Sequence, residues 1–87
     1  MNERISKAKR LEIANVCYAN VAGLFAMFQN PRHRGPNFTW NTFADYCEEN
    51  SQDWMVIHNV RGHKETILAE AKLLSKEIAQ RLVERMS

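Results

Sequence analysis

Cysteine, glycine and proline are scarce in this chain, and each scarcity removes a class of protein. Two cysteines, Cys17 and Cys47, stand among 87 residues, and no Cys-x-x-Cys pair occurs. That is too few for a disulfide-stapled secreted scaffold, and the spacing does not suit a structural zinc site. Both thiols lie in apolar stretches and read as buried, reduced cysteines. Three glycines leave no glycine-rich loop to cradle a phosphate. His58 and His63 are five residues apart. On one helix that puts them on different faces, whereas zinc-binding pairs sit three or four apart. No metal or cofactor site follows from these residues. A catalytic thiol is not indicated either, because Asp45, Glu48 and Glu49 surround Cys47 and would raise its pKa rather than lower it. These absences argue against an enzyme.

A dominant charge is also lacking. Twelve Lys and Arg oppose ten Asp and Glu, for a net charge of +2. That permits nucleic-acid contact without the basic excess of a dedicated nucleic-acid binder. Hydrophobic residues make up 45% and charged residues 25%, ordinary values for a globular chain. The length fits a single domain, residues 1–87. Glu3 and Glu12 interrupt the basic opening, and no small-residue cleavage pattern follows Phe28. A secretory leader is therefore not expected, and the apolar run falls short of the ~20 residues a membrane span needs. A cytoplasmic protein without membrane contact is the expectation.

The strongest positive feature is residues 16–28, VCYANVAGLFAMF, which carry no charge. On a helical wheel, Val16 and Met27 fall on one side, Tyr18 and Phe25 on another, and Cys17, Leu24 and Phe28 on a third. A helix apolar all round must be buried on most sides. In so short a chain that means a central helix or a subunit interface, and a homodimer is expected. Its seam would use Val21, Leu24, Phe25 and Phe28, or the stripe on the last helix. Ala19, Gly23 and Ala26 form a small-residue face that would admit a neighbouring backbone.

The first helix is predicted over residues 2–29, with Asn2 as N-cap, ending where Asn30 precedes Pro31. Residues 30–37, NPRHRGPN, read as a loop with Arg32, His33 and Arg34 at its tip. A short helix is predicted over residues 38–50, capped by Thr39 or Thr42. Trp40, Phe43, Ala44 and Cys47 form its apolar face, and its acidic end at Glu48, Glu49 and Asn50 opposes the dipole. Residues 51–60 fit a second short helix starting at Ser51, although Trp54, Val56, His58 and Val60 alternate as in a strand. Gly62 is placed at the C′ position closing it. Residues 63–86 carry a stripe of Ile67, Leu68, Ala71, Leu74, Ile78, Leu82 and Met86 and read as a long amphipathic helix.

The expected fold is all-α: a small helical bundle in which long N- and C-terminal helices, packed antiparallel, flank a basic loop and one or two short helices. The expected function is non-catalytic. The chain would bind a protein or nucleoprotein partner and block or bridge it, in the manner of inhibitors and adaptors, including those encoded by phages or mobile elements. Arginine is enriched at binding hot spots, so Arg32, His33, Arg34, Arg61 and Lys64 are the candidate partner contacts. Lys7, Lys9 and Arg10 form a further basic cluster, and nucleic acid is a candidate partner through these groups. The alternative is a small helix-turn-helix-like regulator of transcription using residues 40–62, with Glu49, Asn50 and Ser51 as its turn.

Overall fold

The structure is a computed structural model that describes residues 5–86. The order of elements is α1 (Lys7–Phe28), a 3₁₀ turn (Pro31–His33), a second 3₁₀ turn (Trp40–Thr42), α2 (Phe43–Ile57) and α3 (Lys64–Glu84). No strand occurs among the described residues, and the chain is an all-α bundle with long outer helices and a shorter middle one.

The start of α1 is set by Ser6, whose backbone is extended and whose side chain accepts from the Lys9 N–H at 3.1 Å. Such a cap satisfies one of the otherwise unpaired N–H groups of the first turn. Asn2, the N-cap expected from sequence, lies outside the described residues. The helix ends as expected before Asn30, which is extended and accepts the Arg32 N–H on its side chain at 3.0 Å.

The middle of the chain departs from the sequence reading. A single helix, α2, passes through Glu48, Glu49 and Asn50 without a break. Ser51 is fully buried inside it and donates its hydroxyl to the Glu48 carbonyl at 2.7 Å instead of capping a new helix. The acidic stretch is offset by Lys76 of α3, which lies 3.5 Å from Asp45 and 3.8 Å from Glu48. More decisive is the face that continues past the acidic residues. Phe43, Cys47, Ser51, Trp54 and Met55 recur at helical spacing and are all buried. Burying a Trp and a Met stabilises by about 2 kcal/mol or more each, well above the ~0.3–1 kcal/mol of an unfavourable charge near a helix end. The strand-like alternation of residues 54–60 is overridden by the same burial.

Gly62 does not close α2. Asn59 does, with φ of 53°, while Val60 N–H donates to Met55 O at 2.9 Å and Asn59 N–H to Val56 O at 3.0 Å. This is the Schellman arrangement, with asparagine in the left-handed position. Gly62, at φ +143°, instead turns the chain into α3. A Cβ there would stand 2.8 Å from the Ile67 Cδ1. The ring of His63 caps α3, its Nδ1 lying 2.7 Å from the Thr66 Oγ1 and 3.4 Å from the Thr66 N–H.

Because the middle of the chain is one helix rather than two, the chain reverses only twice, and α1 and α3 run parallel. The expectation of antiparallel outer helices is corrected by contacts in matching order: Arg10 Nε lies 3.2 Å from Glu70 Oε2, and the Cys17 thiol lies 3.6 Å from the Ala71 carbonyl, to which it donates. Both α1 and α2 pack on α3. Its buried stripe is Ile67, Ala71, Ser75 and Ala79, one residue per turn. The predicted stripe is split: Leu68, Leu74, Ile78 and Leu82 flank this line half-buried, and Met86 is exposed. The α1 residues meeting it are Ile13, Cys17 and Val21.

The Ser75 hydroxyl is buried, and its oxygen has no hydrogen-bond partner among the described residues. Since an unsatisfied buried hydroxyl costs about 1–3 kcal/mol, Ser75→Ala is expected to raise the thermal midpoint. An unchanged or lowered midpoint in a thermal melt would show that the hydroxyl is satisfied.

Candidate functional site

The basic loop after α1 closes over the end of that helix. Arg34 donates through Nε to the Phe28 carbonyl at 2.6 Å, and its guanidinium lies 5.4 Å from the Trp40 ring centre and 5.6 Å from that of Phe38. The His33 Nδ1 lies 3.2 Å from the Met27 carbonyl. Two of the three candidate contacts thus serve carbonyls of the last turn of α1, where the Arg34 cation also complements the dipole. Only Arg32 of the trio stands exposed without such a tie. Beneath Arg34, Phe28 meets Phe38 at 4.9 Å between ring centres, and Phe25 meets Trp40 at 5.2 Å. Phe43 joins this cluster, 5.3 Å from Trp40.

This cluster also accounts for the residues expected at a dimer seam. Val21 and Phe28 are buried within the chain, at 0% and 7% exposure, and Leu24 and Phe25 pack half-buried against the same core. The outer side of α1 is elsewhere. Asn15, Ala19, Gly23 and Ala26 face solvent, with Tyr18 and Leu11 beside them at 57% and 61% exposure. Among the described residues, nothing outside the helix's own nearby backbone lies within 4 Å of a Cβ built on Gly23, so the close approach read from the small residues is not made by α2 or α3. Nor is α1 the central helix. By length and composition it could cross a membrane, yet only 22% of its most apolar stretch is buried in the bundle.

Parallel packing of α1 and α3 brings two basic clusters together that are remote in sequence. The N-terminus of α1 carries Lys7, Lys9 and Arg10, and that of α3 follows Arg61 and carries Lys64. Lys9, Gly62, His63 and Ile67 line one shallow cleft between these ends. Lys9 pairs with Glu12 at 2.8 Å and Arg10 with Glu70, whereas Lys7, Arg61 and Lys64 form no ion pair among the described residues. Arg32, His33 and Arg34 sit at the opposite end of a rod of 44 × 24 × 18 Å. The candidate contacts are therefore divided between the two ends.

Beside Arg61 and Lys64, a groove of about 470 Å³ opens where α2 turns into α3. Its apolar lining is Met55, Val60, Ile67 and Leu68, with Val56 on the rim at 72% exposure. Ile57, next along the helix, is 74% exposed. Sequence reading missed this site. The available signal was that Val56 and Ile57 fall off the face shared by Phe43, Cys47 and Trp54. The helix-turn-helix arrangement over residues 40–62 is not formed, because its proposed turn lies inside α2.

Both thiols lie inside the bundle at 0% exposure. Desolvation pushes the Cys47 thiol up to about 12. Cys17 is raised as well, chiefly by the same burial. A neutral, enclosed thiol is a poor nucleophile. The histidines are dispersed: His33 lies at the end of α1, His63 caps α3, and the His58 Nε2 lies 3.4 Å from the Asn20 amide nitrogen. No group of three His, Cys, Asp or Glu that could hold a metal occurs among the described residues.

No protein-family model matches the chain, and neither a curated protein nor a solved structure matches it.

Two outcomes follow from these positions. Arg34→Ala loses a charge-assisted hydrogen bond and two cation–ring contacts, and is expected to cost about 2 kcal/mol in a denaturant melt. Arg32→Ala should leave stability unchanged, and equal losses would refute the assignment. Stability should also depend on pH through Cys47. In the unfolded chain this thiol ionises near 9.0 and in the folded chain near 12. Its stabilising effect is complete below pH 9 and declines as pH rises toward 12. Cys47→Ala should flatten that decline between pH 9 and 11 in melts compared with the parent.

Proposed function

We propose that this chain is a non-catalytic binding protein of the cytoplasm that forms a homodimer and blocks or bridges a protein or nucleoprotein partner. The observation that carries this reading is the outer face of α1. No charged residue lies between Glu12 and Arg32, and the solvent side of that stretch is a ridge of Ala19, Gly23 and Ala26. A glycine inside an exposed helix costs about 1 kcal/mol relative to alanine, and no contact with another element among the described residues offsets it.

Two copies packed ridge to ridge would hide the uncharged face and leave both ends of the rod free. The seam is thereby moved from Val21, Leu24, Phe25 and Phe28 to the opposite side of the same helix. Enclosed thiols and dispersed histidines support a non-catalytic role.

Sedimentation equilibrium tests the assembly. The parent should sediment at twice 10.1 kDa in the micromolar range. Gly23→Leu, which adds bulk at an open position while improving helix propensity, should sediment as a monomer with undiminished helicity. A monomeric parent, or a dimer that persists in Gly23→Leu, would overturn the proposed seam.

A further inference from the structure

The groove between the end of α2 and the start of α3 is separate from the α1 ridge, and its chemistry specifies an occupant more closely. We infer that it docks an acidic peptide segment of a partner protein, anchored by bulky aliphatic or aromatic side chains. This inference rests on the binding-protein reading and names the partner's chemistry.

Three observations carry it. The groove's volume of about 470 Å³ lies within the range of sites that enclose a small ligand, and is enough for one or two large side chains. Its lining is aliphatic, from Met55, Val60, Ile67 and Leu68, so an anchor entering it removes apolar surface on both partners from water. Among the described residues, the only charged ones lining it are Arg61 and Lys64. Neither makes an ion pair among the described residues. Carboxylates flanking an apolar anchor would meet both cations at the rim, and the arginine fork suits bidentate pairing with a carboxylate.

A nucleic acid fits the groove less well. Single-stranded bases bind by stacking on aromatic rings, and no aromatic residue lines this site. Trp54 is buried, and Trp40 belongs to the cluster at the far end of the rod. The positive rim alone would attract phosphates but would leave the aliphatic lining unused.

Selection from a displayed library of random peptides of about 12 residues, panned against the full chain, tests the inference. Enriched peptides should carry net negative charge and at least one bulky apolar residue. On titration they should shift the backbone ¹⁵N–¹H signals of Met55, Val60 and Leu68. Their affinity should fall tenfold or more in the Arg61→Glu, Lys64→Glu double variant, whose thermal midpoint should be no lower than the parent's, because both side chains are exposed and a glutamate at the first residue of α3 suits the helix dipole. A fluorescent DNA duplex and a single-stranded oligonucleotide are titrated alongside.

Failure to enrich any peptide would overturn the inference. So would enriched peptides without acidic character, signal shifts confined to α1, or affinity unchanged by the double variant. Oligonucleotide binding at this site with no peptide binding would overturn it in favour of nucleic acid. Repeating the selection on Gly23→Leu separates the two readings. Groove binding should survive loss of the dimer, so a failed seam and a failed groove give different results.

Discussion

The line of Ile67, Ala71, Ser75 and Ala79 along α3 governs where everything else in this protein can go. Both other helices rest on it, and three of its four side chains are small. Small residues at one-turn spacing let neighbouring helices approach closely, and larger side chains on those neighbours fill the gaps. Ile13, Cys17 and Val21 enter from one side, and Phe43, Cys47, Trp54 and Met55 from the other. Direct contact between α1 and α2 is concentrated at the aromatic end, where Phe25 and Phe28 meet Phe43. The bundle is therefore joined along α3 and clasped at one end by rings.

That arrangement separates the residues that hold the fold from those that do not. The half of α1 turned to α3 provides core residues, and the opposite half provides none. Arg34 and His33 close the clasped end, so the loop that carries them is part of the scaffold. At the other end, Lys7, Arg61 and Lys64 have no such duty. The surfaces without a part in holding the fold are thus the ridge of α1 and the end where α1 and α3 begin, a division set by the number of times the chain reverses.

Much of this was legible from sequence. The all-α class, the stop at Asn30, the basic loop and the apolar faces of α2 and α3 followed from composition, proline placement and periodicity. What failed did so for identifiable reasons. The acidic Glu48 and Glu49 look like a helix end, but the burial of Trp54 and Met55 beyond them outweighs a dipole term that Lys76 also moderates. From that one misplaced break came the reversed direction of α3 relative to α1 and the appearance of a helix-turn-helix. Asn59 took the left-handed position expected of Gly62, a choice set by backbone hydrogen bonds to Met55 and Val56 and hidden from composition. The dimer residues were sought among the largest side chains of α1. Those are the ones a small bundle needs for its own core, so the outer side is left to Ala19, Gly23 and Ala26 with Leu11 and Tyr18 beside them.

Parallel α1 and α3 have an electrostatic consequence. Each helix carries partial positive charge at its N-terminus, and both termini lie at the same end with a lysine as first residue, Lys7 in one and Lys64 in the other. Like partial charges and like ions are gathered there, and α1 has no acidic residue in its first turn to offset them. Glu65 in the first turn of α3, and Glu12 and Glu70 paired with Lys9 and Arg10, offset only part of that charge. An acidic segment arriving there would relieve that field as well as make contacts. Such binding would be linked to folding stability through one set of charges and would firm the first turns of both helices.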